Sequence, residues 1–87
     1  MFVRSAAIDL APFGIRINAF GPGSLDNAWR GGVWSSPGLE RELDKIPLAR
    51  LGTREDLVGT VIFLASDDSA YITGQTIYVD GGATGKW

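Results

Sequence analysis

Val3, Ala6, Ala7 and Leu10 recur at three- and four-residue spacing within residues 2–11 and predict a helix with one apolar stripe. Pro12 disfavours helical geometry in the residue before it, and Gly14 completes the break. No capping residue precedes the pattern, so this first helix reads as truncated. The rhythm then changes to alternation. Ile15, Ile17 and Ala19 share one face of a short strand predicted over residues 15–20, with Phe20 adding bulk at its end. The run stops at Gly21-Pro22-Gly23. Two readings compete there: an ordinary turn, or a backbone that must lie against a ligand.

Gly21, Pro22, Gly23, Gly31, Gly32, Pro37 and Gly38 make the following stretch a long loop, and Trp29 and Trp34 within it argue against disorder. Residues 39–45 form a short charged helical turn, with Glu40, Glu42 and Asp44 on a solvated face beside Arg41 and Lys45. Residues 46–52 are extended. Thr53 supplies a hydroxyl N-cap, and Asp56 takes the Glu/Gln place of a capping box. Leu57, Val58, Val61, Ile62 and Ala65 then repeat at helical spacing. Phe63 and Leu64 widen that face, so this helix is predicted to be mostly buried. Ser66-Asp67-Asp68-Ser69 ends it in a solvated turn. A last strand over residues 75–80 alternates Ile77 and Val79 with Thr76 and Tyr78 before Gly81-Gly82.

The fold class is therefore α/β: truncated helix, strand, loop with short helix, helix, strand. Two adjacent strands joined through a helix imply a parallel pair with a right-handed crossover. So few elements cannot cover both faces of a sheet, so either a partner chain or a further part of the same protein is expected.

Composition narrows the chemistry. The 87 residues make one domain at most, with 0 Cys and 0 His. That excludes disulfides, Cys/His zinc sites and Ser-His-Asp or Cys-His catalysis within them. The net charge is −2, with 8 basic residues scattered rather than striped, which disfavours nucleic acid. No run approaches the ~20 apolar residues of a membrane span, and Arg4 and Asp9 interrupt any signal core. A cytoplasmic location is the default expectation.

Nucleotide and acid/base motifs fail on inspection. Residues 81–87 suggest a phosphate loop, but Asp80 and Trp87 occupy positions that need Gly and Ser/Thr. Gly21-Pro22-Gly23 starts a G-x-G-x-x-G that Asp26 breaks. Tyr71 and Tyr78 are followed four residues later by Gln75 and Gly82, not by a Lys that would lower their pKa. They read as core or interface aromatics. No catalytic constellation emerges.

Longer stretches, however, resemble one family. They are residues 4–19, Gly21-Pro22-Gly23, the Ile-Pro-Leu-Ala-Arg-Leu-Gly of residues 46–52, residues 61–68, and Tyr-Ile-Thr-Gly-Gln-Thr-Ile-Tyr-Val-Asp-Gly-Gly at 71–82. In this order they resemble the C-terminal part of a short-chain dehydrogenase/reductase, an NAD(P)(H)-dependent oxidoreductase with a Rossmann fold. The resemblance implies a partial domain, residues 1–87, in which residues 28–45 form a substrate-lid-like loop. It implies NAD or NADP as cofactor and a small-molecule substrate. Pro22 and Gly23 would bend the chain under the nicotinamide, and Leu25 would offer its N–H and C=O to the carboxamide. Asn27 stands where the family usually has Thr. Trp29 and Trp34 would line the substrate pocket, or else pack on the chain's own helix or a neighbouring subunit. The family's Gly-rich turn, catalytic Ser and Tyr-x-x-x-Lys are not among these residues, which implies inactivity alone. The expected company is a homo-oligomer, a missing N-terminal part or a full-length relative. The alternative is a non-catalytic oligomerisation or assembly module derived from such an enzyme.

Overall fold

A computed structural model describes residues 2–26 and 36–86. Their order is α1 (Phe2–Leu10), β1 (Ala19–Pro22), α2 (Ser36–Asp44), α3 (Arg54–Ala65) and β2 (Thr76–Val79), with short 3-10 turns at Ala11–Phe13, Asp67–Ser69 and Thr84–Lys86. β1 and β2 form a two-stranded parallel sheet, Ala19 opposite Thr76 and Pro22 opposite Val79. The α/β class and the parallel pairing agree with the sequence pattern.

α1 turns inward the stripe its spacing predicts. Ala7 is buried, Val3, Ala6 and Leu10 are half-buried, and Phe2 and Ile8 face outward. Pro12 sits in the 3-10 turn that follows. Gly14 closes this turn at φ 72°, a left-handed conformation that glycine adopts without steric cost.

The first strand lies further along than alternation predicts. Residues 15–18 lie before the strand, and their polar groups bond outside the ladder. The Ile17 N–H donates to Thr73 Oγ1 at 3.1 Å and its carbonyl accepts from the Gly74 N–H at 2.7 Å. Alternation reports which side chains are covered, not where the backbone bonds, which is why the boundary slipped. The ladder instead runs into Gly21 and Pro22. Ala19 donates to Gln75 and Gly23 to Val79, so Phe20 and Pro22 have the opposite parity and turn their backbone away from β2. Proline is tolerated because its missing N–H would have faced away from the partner strand.

α2 begins earlier than the turn predicted at residues 39–45. Pro37 lies in its first turn, where a missing N–H costs nothing. α3 starts as predicted. Thr53 Oγ1 accepts from the Asp56 N–H while the Asp56 carboxylate accepts from the Thr53 N–H, a complete capping box.

The predicted burial of α3 is corrected by the structure. None of its residues is buried, and Ile62 is 63% exposed. The helix is apolar all round, and a two-stranded sheet covers only one side of it. Tyr71, expected to pack, is fully exposed in the turn after Asp67–Ser69. Among the described residues the buried set is Ala7, Ile46 and Ser69.

Ser69 sits at the centre of a polar tie. Its hydroxyl donates to the carbonyls of Leu64 and Ser66 at 3.0 and 3.1 Å, satisfying the end of α3. Arg16 donates to the same two carbonyls and to Ile72, and Asn18 bonds both Ile72 and Gln75. A cation at a helix C-terminus also suits the negative end of the dipole.

Candidate functional site

Beyond the last ladder bond, Gly23 to Val79, the chain passes through Ser24, Leu25 and Asp26 at the carboxyl end of the sheet. In open α/β sheets this end forms the ligand crevice. A parallel bridge pairs Leu25 with Gly52. Its two bonds come from the flanking residues: the Gly52 N–H donates to the Ser24 carbonyl at 2.9 Å, and the Asp26 N–H to the Gly52 carbonyl at 2.8 Å. A third tie comes from the side. Ser24 Oγ donates to Glu42 Oε2 of α2, and Lys45 Nζ lies 3.2 Å from the other carboxylate oxygen. The Ser24 hydrogen bond, reinforced by Lys45, holds the Glu42 carboxyl below its ordinary range.

The glycines of Gly21-Pro22-Gly23 answer first to the protein's own strand. A Cβ at Gly21 would stand 2.8 Å from the Tyr78 ring, and one at Gly23 would stand 2.7 Å from Asp80 Cβ. The Asp80 backbone therefore leaves no room for a side chain at Gly23, and at Gly21 one would have to displace the Tyr78 ring.

Ser24 and Leu25 form one wall of a cleft of about 660 Å³, within the usual size of small-molecule sites. Leu48, Leu57, Tyr78 and Val79 make it largely apolar, and Arg50, Asp56, Asp80 and Thr84 stand around it. The charged groups are engaged within the chain. Arg50 binds Asp56 through two contacts, 2.7 and 3.1 Å, and Asp56 also accepts from the Thr53 N–H and hydroxyl. Arg50 first, then Thr53, holds the Asp56 carboxyl far below the usual carboxylate range. The Asp80 carboxylate receives the Gly82 N–H and both the N–H and hydroxyl of Thr84, chiefly the last of which lowers its pKa. Carboxylates so engaged stay ionised and serve as anchors of the local backbone rather than as proton donors. What the cleft presents to a ligand is apolar surface and peptide groups.

Pro22 ends β1, Gly23 makes the last ladder bond, and Leu25 lines the cleft. Asn27, Trp29 and Trp34 lie outside the described residues. Tyr78, expected to pack, is 59% exposed where it lines the cleft. Asp80 and Arg50, to which the sequence pattern gives no role, bond near neighbours, Asp80 to Gly82 and Thr84 and Arg50 to Asp56. Asp56 was signalled by the capping box, and Glu42 was seen only as part of a solvated face. No group of three or more His, Cys, Asp or Glu residues suited to a metal ion occurs among the described residues. None of the described helices is long and apolar enough to cross a membrane.

Comparison with known proteins bears on this geometry. Residues 1–84 match the sequence profile of the family described as enoyl-(acyl carrier protein) reductase. A cyclohexanol dehydrogenase of Rhodococcus sp. strain TK6 is 42% identical over 83 residues, covering 95% of this chain and 31% of that protein. A 3-oxoacyl-[acyl-carrier-protein] reductase of Staphylococcus aureus is 48% identical over 79 residues, covering 91% and 32%. The crystal structure of a short-chain dehydrogenase from Leptospira borgpetersenii with bound NAD+ superposes with a TM-score of 0.86 at 41% identity, over 95% of this chain and 31% of that one. The chain spans about a third of the length of the curated relatives it matches.

Proposed function

Because this chain belongs to the short-chain dehydrogenase/reductase family of NAD(P)-dependent oxidoreductases, we propose that it forms the nicotinamide-facing and substrate-facing portion of a carbonyl/alcohol oxidoreductase. The observation that carries this reading is the position of Leu25. It stands at the carboxyl end of β1, on the wall of the cleft, with its backbone pinned on both sides by the bridge to Gly52. A carboxamide presents an NH2 group that donates and a carbonyl that accepts, and the N–H and C=O of a peptide residue are complementary to them. Pro22 and Gly23 set the direction in which the chain leaves the strand, and the apolar cleft wall keeps water from the ring. NAD or NADP fits this donor set; when bound, it supplies or accepts the hydride.

The 87 residues hold no Tyr with a Lys four positions on, and no His, so they carry no evident acid for carbonyl chemistry. We expect the isolated chain to leave NADH and NADPH unoxidised with any carbonyl substrate, at the rate of a protein-free control. Binding is the direct test. In an amide-resolved NMR titration with nicotinamide mononucleotide, the Leu25 signal should shift and saturate. A Leu25 signal that stays still while the nucleotide is raised to millimolar concentration would refute the reading.

One observation favours a second reading, a non-catalytic assembly module. Val58, Val61, Ile62 and Phe63 expose apolar surface along α3, and such surface favours association with a copy of the chain, the rest of its domain or a full-length relative. Light scattering after size exclusion decides whether the chain assembles with itself.

A further inference from the structure

We propose that Glu42 is a positioning residue for the peptide that meets the nicotinamide. From α2 it fixes Ser24, and through Ser24 the orientation of Leu25. The inference rests on the cofactor-facing reading of Leu25.

The Ser24–Asp26 segment has left the β1–β2 ladder, and its supports from elsewhere in the chain include the Gly52 bridge and Glu42. The bridge fixes the spacing of the segment from the loop at residues 50–53. The Glu42 contact comes from a different element, α2, and restrains the segment from its side. A carboxylate only accepts, so Ser24 Oγ must direct its proton at Glu42, which fixes the side chain and with it the backbone from which it springs.

The placement of Glu42 on α2 points the same way. It lies in the last turn of Ser36–Asp44, where a negative charge faces the negative end of the helix dipole. Helix stability alone would place a basic or neutral side chain there. Lys45 at 3.2 Å offsets the charge on one oxygen and leaves the other for Ser24.

The experiment uses the whole chain, with Glu42→Ala, Ser24→Ala and Ser24→Thr as variants. Amide hydrogen exchange should speed about tenfold at Asp26 and Gly52 in Glu42→Ala and Ser24→Ala, the scale of losing one modest hydrogen bond. Ala19 and Gly23, whose amides bond into the ladder, should keep their rates, and Ser24→Thr, which retains the hydroxyl, should restore those of Asp26 and Gly52. Nicotinamide mononucleotide should bind the first two variants about tenfold more weakly, by the same free-energy scale. Unchanged exchange at Asp26 and Gly52 in both variants overturns the proposal. So does faster exchange throughout α2 in Ser24→Ala, which would make the contact a support of the helix only. If the nucleotide leaves Leu25 of the unmutated chain unmoved, the cofactor reading fails, and the exchange rates still decide whether Glu42 positions the segment.

Discussion

The guanidinium of Arg16 reaches 48 residues along the chain to the carbonyl of Leu64, 3.1 Å away, and so closes the C-terminal end of α3 from the segment that leads into β1. The same group bonds Ser66 and Ile72. Arg16 thereby joins the three parts that bracket the sheet.

Arg16→Ala should destabilise the chain by about 2 kcal/mol, the range for hydrogen bonds made by a charged group, with Ser69 and Asn18 still bonding the same carbonyls. Arg16→Lys should recover only part of this, since an ammonium lacks the fork that reaches three acceptors. Urea denaturation measures both. Equal stability of Arg16→Ala and the unmutated chain would contradict the assignment.

Gly81 and Gly14 make a matched pair. Both have positive φ, 64° and 72°, yet a Cβ at Gly81 would meet buried Ile46 at 2.6 Å whereas one at Gly14 meets nothing within 4 Å. Gly14→Ala should cost about 1 kcal/mol, the backbone effect alone. Gly81→Ala adds overpacking and should cost about 3 kcal/mol in all. The order of the two melting temperatures checks this without any absolute value.

Acid should weaken the fold through Asp56, Glu42 and Asp80, whose carboxyl groups all titrate lower in the folded chain than the ordinary carboxylate. For a lowered pKa the stabilisation is present above the unfolded value and is lost as pH falls through the folded one. The melting temperature should therefore be nearly level from neutral pH to about pH 5 and fall below about pH 4, where unfolded carboxylates begin to protonate. Asp56→Asn should lower the neutral plateau and shallow the acid limb. An acid limb unaltered by that substitution would show that the pairing with Arg50 and Thr53 carries no linkage.

Ile62 is mostly exposed, so Ile62→Glu should change the stability of a monomer by no more than about 0.5 kcal/mol. If α3 is an assembly face, the same substitution should shift the light-scattering mass toward the 9.3 kDa of a single chain. An unmutated chain that already runs at that mass would dismiss self-assembly through α3.

Local signals in the sequence translated well into structure. Thr53 and Asp56 are three residues apart and close on each other as the capping pattern requires. Pro12 and Gly14 end the first helical segment, and the stripe of α1 points inward at Ala7. What escaped was non-local. Nothing near Ser24 announces Glu42, 18 residues on, and nothing near Gly23 announces the backbone of Asp80. The apolar run of α3 signalled cover without saying what supplies it. Alternation at residues 15–20 was read as a ladder, although Ile17 bonds Thr73 and Gly74 instead. For the site, the sequence marked the strand end near Gly21-Pro22-Gly23, whereas the polar ties that hold Ser24–Asp26 beyond it, from Gly52 and Glu42, lie too far along the chain to be read locally.

The parity of Pro22 has an outcome for how this sheet can grow. Among the described residues, no strand lies along the side of β1 opposite β2. A strand arriving there would find at Phe20 an N–H that donates to it, but at Pro22 only a carbonyl that accepts, because the proline nitrogen carries no hydrogen. Lateral pairing is thus open at the start of β1 and chemically blunted at its end. The two halves of a four-residue strand would be read differently by an incoming neighbour, which must align its own donors to the half that can answer them.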